Sequence, residues 1–233
     1  MSANTFINRI DPNRKWLPMP RKNQKRLAPI RLVSRKSQPP SDKSLRALAQ
    51  NHAKQGNYQE AIALLTQLIH RNPTDAVSYN NRGLIYFQSH QLENALADYN
   101  KALELNPALD SAYNNRANYY ASRGQVAEAL TDYEQAIDLN PGNTRSWINQ
   151  AITFRELGLY DLALENLDMA LILGSLDEHV YVERGRTYHL RGDWNCAIAD
   201  YQRALNLLPF GTSNRMYRKV EQWMSQLLNP LSA

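Results

Sequence analysis

The amino-acid sequence predicts an all-α fold of stacked helical hairpins, and three observations carry that prediction. A 34-residue unit recurs five times between positions 42 and 211 of the 233-residue chain. Within each unit, apolar residues return at steps of three and four, the period of one face of an α-helix. Each unit is interrupted once near its middle, at Gly56, His90, Gly124, Gly158 and Gly192, and four of the five end on proline, at Pro73, Pro107, Pro141 and Pro209. Glycine suits a helix C-terminus and proline stops a helix, so each unit reads as two helices and a turn.

The first element is a basic segment. Residues 1–41 hold ten lysines and arginines against one acid, Asp11, for a net charge of +9, and they carry six of the eleven prolines. The remaining 192 residues sum to −4, so the whole-chain charge of +5 conceals two regions of opposite sign. Proline removes backbone donors and disfavours helix in the residue before it, so this segment is expected to be a disordered arm. Its charge suits an anionic partner: nucleic acid, an anionic membrane surface or an acidic protein. A solvated tail without a partner, an autoinhibitor of the chain's own groove and, less favoured, a transit peptide are the other readings.

The units follow, at 42–75, 76–109, 110–143, 144–177 and 178–211. In the second helix Ala61, Ala95, Ala129, Ala163 and Ala197 fall 34 apart, opposite Ala49, Gly83, Ala117, Ala151 and Gly185 in the first. Aromatics at Tyr79, Tyr113, Trp147 and Tyr181, and at Tyr99, Tyr133 and Tyr201, fill the space beside them. Large against small at a fixed period is the signature of interdigitated helices. The fourth unit ends on Gly174 and Ser175 instead of proline.

The last element, within residues 212–233, places Met216, Tyr217, Val220, Trp223, Met224, Leu227 and Leu228 on one helical face, with Ser213 as its N-cap. It is expected to cap the fifth unit, with self-association of this face as the alternative.

This order of aromatic, small, aromatic, glycine, alanine, aromatic, alanine and proline resembles the tetratricopeptide repeat family. The resemblance spans residues 42–211 and implies a right-handed superhelix whose first helices line a concave, peptide-binding groove. The first unit departs most, with Leu45, His52 and Leu65 where the others carry aromatics, as suits a terminal unit.

Two positions of the unit vary together. The seventh reads Leu48, Arg82, Arg116, Gln150, Arg184 and the twenty-third reads Leu64, Asp98, Asp132, Asn166, Asp200. Leucine meets leucine, arginine meets aspartate and amide meets amide, so the pairs Arg82 with Asp98, Arg116 with Asp132 and Arg184 with Asp200 are expected to be structural ion pairs across the hairpin.

The second, fifth, sixth, ninth and twelfth positions of the first helices are expected to face the groove. The sixth offers Asn81, Asn115 and Asn149 in succession. An asparagine amide both donates and accepts, so a ladder of them can grip an extended backbone. This is similar to the asparagine ladder in the repeat superhelix of the sugar transferases that modify protein serines and threonines. Asparagine could equally serve there as a solvated surface residue or an inter-repeat hydrogen bond. Asn80, Asn114, Asn118, Arg145, Arg155 and Arg186 lie on or near the same face as candidate specificity residues. The chaperone-binding carboxylate clamp of the family is not matched: its positions read Arg46, Gln50, Asn81, Ser111 and Asn115.

Nothing points to catalysis. The five histidines fall at different positions of the unit, without metal-ligand spacing, and Cys196, beside Ala197, reads as a small buried residue. No catalytic residue, metal or cofactor is expected. The expected molecule is a monomeric, cytoplasmic adaptor, scaffold or assembly factor that holds an extended segment of one or more partner proteins. Its arm could place it at a membrane surface, and organelle import is less favoured. The alternative is an RNA- or ribosome-associated factor tethered by the basic arm.

Overall fold

The computed structural model describes residues 40–209 and 215–228, and within them the chain is a helical repeat superhelix. The expectations for the basic segment up to Pro39 and for Ser213 lie outside the described residues. Eleven helices follow one another among those described: α1 (Asp42–Lys54), α2 (Tyr58–Arg71), α3 (Ala76–Gln88), α4 (Leu92–Leu105), α5 (Asp110–Ser122), α6 (Val126–Leu139), α7 (Thr144–Glu156), α8 (Tyr160–Ile172), α9 (Asp177–Arg191), α10 (Trp194–Leu207) and α11 (Arg215–Leu228). Ser41 starts the first by accepting from the Ser44 amide, an N-cap that satisfies one of the orphan donors of the first turn.

Each hairpin turns on one left-handed residue. Gly56, His90, Gly124, Gly158 and Gly192 have φ of +82°, +60°, +71°, +76° and +98°. In the third unit the Gly124 amide donates to Ala121 and the Gln125 amide to Tyr120, both at 3.0 Å, closing α5 with the paired bonds of a left-handed C-cap. The second helices end two residues before proline in four units. In the fourth, Gly174 and Leu176 both take positive φ, +62° each, and replace the proline as the stop.

The core runs along the hairpin interiors. Ala61, Ala95, Ala129, Ala163 and Ala197 are fully buried, as are Tyr99, Tyr133 and Tyr201. A Cβ on Gly83 would lie 2.8 Å from the Tyr99 ring, and one on Gly185 the same distance from Tyr201, so these glycines are where the two helices of a hairpin approach around a tyrosine. Val220 of α11 is fully buried against Val182, Ala197, Tyr201 and Leu208. That helix therefore covers the open side of the fifth unit.

First helices touch first helices: α3 meets α5, α5 meets α7 and α7 meets α9, whereas second helices of successive units make no contact of that extent. Closer spacing on one side than the other curves the stack and puts the first helices on its inner face. No helix among the described residues is long and apolar enough to cross a membrane.

Candidate functional site: the inner face of the first helices

The seventh position anchors the face from behind. Arg82, Arg116 and Arg184 reach across their own hairpins to Asp98, Asp132 and Asp200, with Nε to Oδ2 at 2.7 Å in each and Nη2 to Oδ1 at 2.8, 2.8 and 3.0 Å. Each guanidinium lies between two tyrosines of its own helix, Tyr79 and Tyr86, Tyr113 and Tyr120, Tyr181 and Tyr188, 5.5 to 5.9 Å from the ring centroids. The spacing of three before and four after makes this sandwich, because those positions share one face of a helix. The remaining nitrogen, Nη1, crosses to the preceding unit, where it meets Thr66 at 3.1 Å, Asn100 at 2.8 Å and Asp168 at 2.6 Å. Hydrogen bonding to Asp98 and Asp132 raises Arg82 and Arg116 above the usual arginine range. In the fourth unit Asn166 donates to Gln150 at 2.8 Å, and in the first Leu48 is about half exposed.

The fifth position corrects the sequence expectation for Asn80 and Asn114. Both are buried, at 4% and 6% exposure, and the same position in the next two units holds the buried Ile148 and Val182. It is a seam between units, not an open face. The Asn80 oxygen accepts from the Asn115 amide at 2.9 Å and the Asn114 oxygen from the Asn149 amide at 3.0 Å. The sixth-position amides of Asn115 and Asn149 are thus held by bonds to the unit before. Each keeps a carbonyl oxygen and a second N–H beyond that bond, and Asn81, Asn115 and Asn149 are all half-buried.

Where α5 and α7 adjoin, the face opens into a depression of about 220 Å³ lined by Asn118, Ala121, Tyr133, Asn149, Ile152 and Glu156, among others. The Tyr133 hydroxyl donates to Asn118 at 2.6 Å, which fixes that amide at the floor. Ile152 and Glu156 were not singled out from sequence, although they follow Asn149 at steps of three and four.

Three candidate cations separate. Arg155 is drawn into the next unit, with Nη1 at 2.6 Å from Glu183 Oε2 and 3.3 Å from its backbone oxygen, and so braces α7 against α9. Arg186 lies over Trp223 of α11 at 4.7 Å from the ring centroid. Arg145 is exposed. The structure therefore brings Asn118 and Asn149 together at one depression and sets Arg155 and Arg186 into contacts between elements.

Cys196 is exposed, a correction to its reading as a buried residue: Ala197 points inward and the residue before it outward. Among the described residues there is no group of three or more histidine, cysteine, aspartate or glutamate side chains placed to hold a metal ion.

Comparison with known proteins bears on this scaffold directly. Family models described as tetratricopeptide repeat match residues 43–75, 76–109 and 111–143. Among solved structures, a thermophilic TPR protein of Thermus thermophilus is 18% identical, with 79% of this chain and 99% of that one covered at a TM-score of 0.70. PilW, a widely conserved type IV pilus biogenesis factor, is 18% identical over 82% of this chain and 94% of its own, at 0.66. The Cut9–Hcn1 assembly of the APC/C is 22% identical over 79% of this chain and 36% of its own, at 0.69. At these identities the structures share the fold alone. With three consecutive units matched and the same hairpin carried on through α7 to α10, the chain belongs to the tetratricopeptide repeat family.

Proposed function

We propose that the chain is a non-catalytic scaffold that holds an extended segment of a partner protein along the inner face of its first helices. The fold is that of a protein-interaction module, and the observation that carries the finer reading is the pair of bonds from Asn115 to Asn80 and from Asn149 to Asn114. Those bonds hold two amides in fixed orientations, one unit apart, and the second of them, Asn149, lines the α5–α7 depression. A ligand backbone meeting amides already in place loses less ordering free energy than one that must organise them. Asn81 extends the row by one unit. Asn118 and Glu156 offer polar contacts, and Ile152 an apolar one.

The test must separate binding from stability, since removing Asn115 or Asn149 leaves a buried acceptor on Asn80 or Asn114 unmet, at a cost of about 1–3 kcal/mol. Two full-length variants serve: Asn81→Ala with Asn115→Ala and Asn149→Ala, and Ala121→Arg, which fills the depression. Affinity capture beside the parent should lose the same client proteins from both, while Ala121→Arg keeps the parent melting temperature. Clients retained by both variants would refute the groove reading.

A further inference from the structure

The fourth unit has a second face that the groove does not use. On most second helices the outward positions are polar: Glu60, Asn94 and Glu128 at one, Gln67, Lys101, Gln135 and Arg203 at the next, His70, Glu104, Asp138 and Asn206 at a third. On α8 the same three positions are Leu162, Met169 and Ile172, with exposures of 42%, 40% and 76%. With Glu165 between them they run at steps of three and four, a stripe down the side of α8 opposite its buried Ala163, Leu167 and Ala170. Leu157 and Leu159, in the turn before α8, are also exposed. The other four units are an internal control: the hairpin does not need apolar residues here, so their presence in one unit is not a requirement of folding. Contiguous exposed apolar surface rimmed by polar residues marks an interaction site.

Charge selects the occupant. The helices α6 and α8 hold seven acidic residues and no lysine or arginine. Asp132, Asp161 and Asp168 are bonded to Arg116, Arg191 and Arg184. Glu128, Glu134, Asp138 and Glu165 are exposed and, among the described residues, make no salt bridge. An acidic rim repels nucleic acid and anionic lipid, and two copies of the same face would oppose like charges. We infer that the outward face of α8, with the exposed acids of α6 one unit before it, docks a cationic amphipathic segment of a second partner protein. The segment's apolar side meets Leu162, Met169 and Ile172, and its lysines or arginines meet Glu165 and the α6 carboxylates. The chain then binds one protein inside its curve and another outside it.

The test uses the full chain and a labelled synthetic helix of leucine and lysine, with leucines at three-and-four spacing. The variant Leu162→Glu, Met169→Gln, Ile172→Asp gives α8 the residues that α6 carries at the same positions. Because all three side chains are exposed, its melting temperature should equal the parent's. The peptide should bind the parent about tenfold more tightly than this variant. It should also bind about tenfold more tightly than a leucine–glutamate helix, and more tightly than a serine–lysine peptide of the same charge. The Asn81, Asn115, Asn149→Ala variant should bind it as the parent does, which separates this face from the groove.

Equal binding to the α8 variant, or by either control peptide, overturns the proposal. Three results overturn it in favour of another occupant: concentration-dependent dimerisation lost in the α8 variant (a second copy), binding to phospholipid vesicles lost in it (a membrane), or markedly tighter peptide binding when Arg26, Arg31, Arg35 and Lys36 are changed to serine (the chain's own basic segment).

Discussion

Arg116 holds Asp132 through two parallel bonds, at 2.7 and 2.8 Å, and at the same time reaches Asn100 in the unit before at 2.8 Å. One side chain therefore closes a hairpin and fastens it to its neighbour. Asp132 is buried, so Arg116 takes the place of water at its carboxylate.

Breaking the pair from one side should be costly. Asp132→Leu strands a partly buried guanidinium and is expected to lose about 3 kcal/mol or more in urea unfolding. The double variant Arg116→Leu with Asp132→Leu copies Leu48 and Leu64 of the first unit, and it should lose clearly less than the two single changes added together. Simple additivity would contradict the coupling.

The buried tyrosines should not be equivalent. Tyr133 donates to Asn118, whereas among the described residues the Tyr99 hydroxyl is buried without a partner, because the residue corresponding to Asn118 in its unit is Leu84. Tyr133→Phe should cost about 1 kcal/mol, and Tyr99→Phe should leave the protein at least as stable as the parent. Equal losses from both would count against this assignment.

Alkali should unfold the array. Burial pushes the phenols of Tyr133 and Tyr201 up to about 12, and that of Tyr99 further. A pKa raised on folding favours the folded state fully below the unfolded value, about 10. That contribution falls as pH rises above 10 and is gone once it passes the folded values. Helical circular dichroism and phenolate absorbance should therefore change together above pH 10. Titration of these phenols near 10 with the helix signal intact would exclude the mechanism.

Gly83→Ala sets helix propensity against packing. Alanine gains about 1 kcal/mol in a helix interior, but its Cβ would sit 2.8 Å from the Tyr99 ring. Overpacking costs about 1–3 kcal/mol. Ala117 packs in one cluster with Tyr133, so a hairpin can hold both residues, and a net loss of about 1 kcal/mol is expected. Adding Tyr99→Leu, the combination found in Ala49 with Leu65 and Ala151 with Leu167, should recover it. A more stable Gly83→Ala single variant would overturn the argument.

Much of this was legible because the chain repeats itself. Five copies exposed the partner of each arginine, since Arg82, Arg116 and Arg184 change in step with Asp98, Asp132 and Asp200. The inner face was harder, because the fifth and sixth positions are both asparagine in two units and one lies in a seam while the other does not. The discriminating signal was present in the later copies: Ile148 and Val182 at the fifth position mark a buried site. Cys196 could have been placed the same way, since Glu60, Asn94 and Glu128 occupy its position in earlier units. Arg155 could not, because its partner Glu183 stands at a position that is alanine or asparagine in every other unit.

The fourth unit lacks the bridging arginine. Gln150 bonds to Asn166 within its own hairpin, so the link that joins the first unit to the second, the second to the third and the fourth to the fifth is missing between the third and fourth. In a stack held by nearest-neighbour terms, unequal links concentrate compliance at the weakest. The α5–α7 depression lies at that joint. Bending there would widen or narrow the curve, so that a groove of the kind proposed would adjust its bore to chains of different thickness.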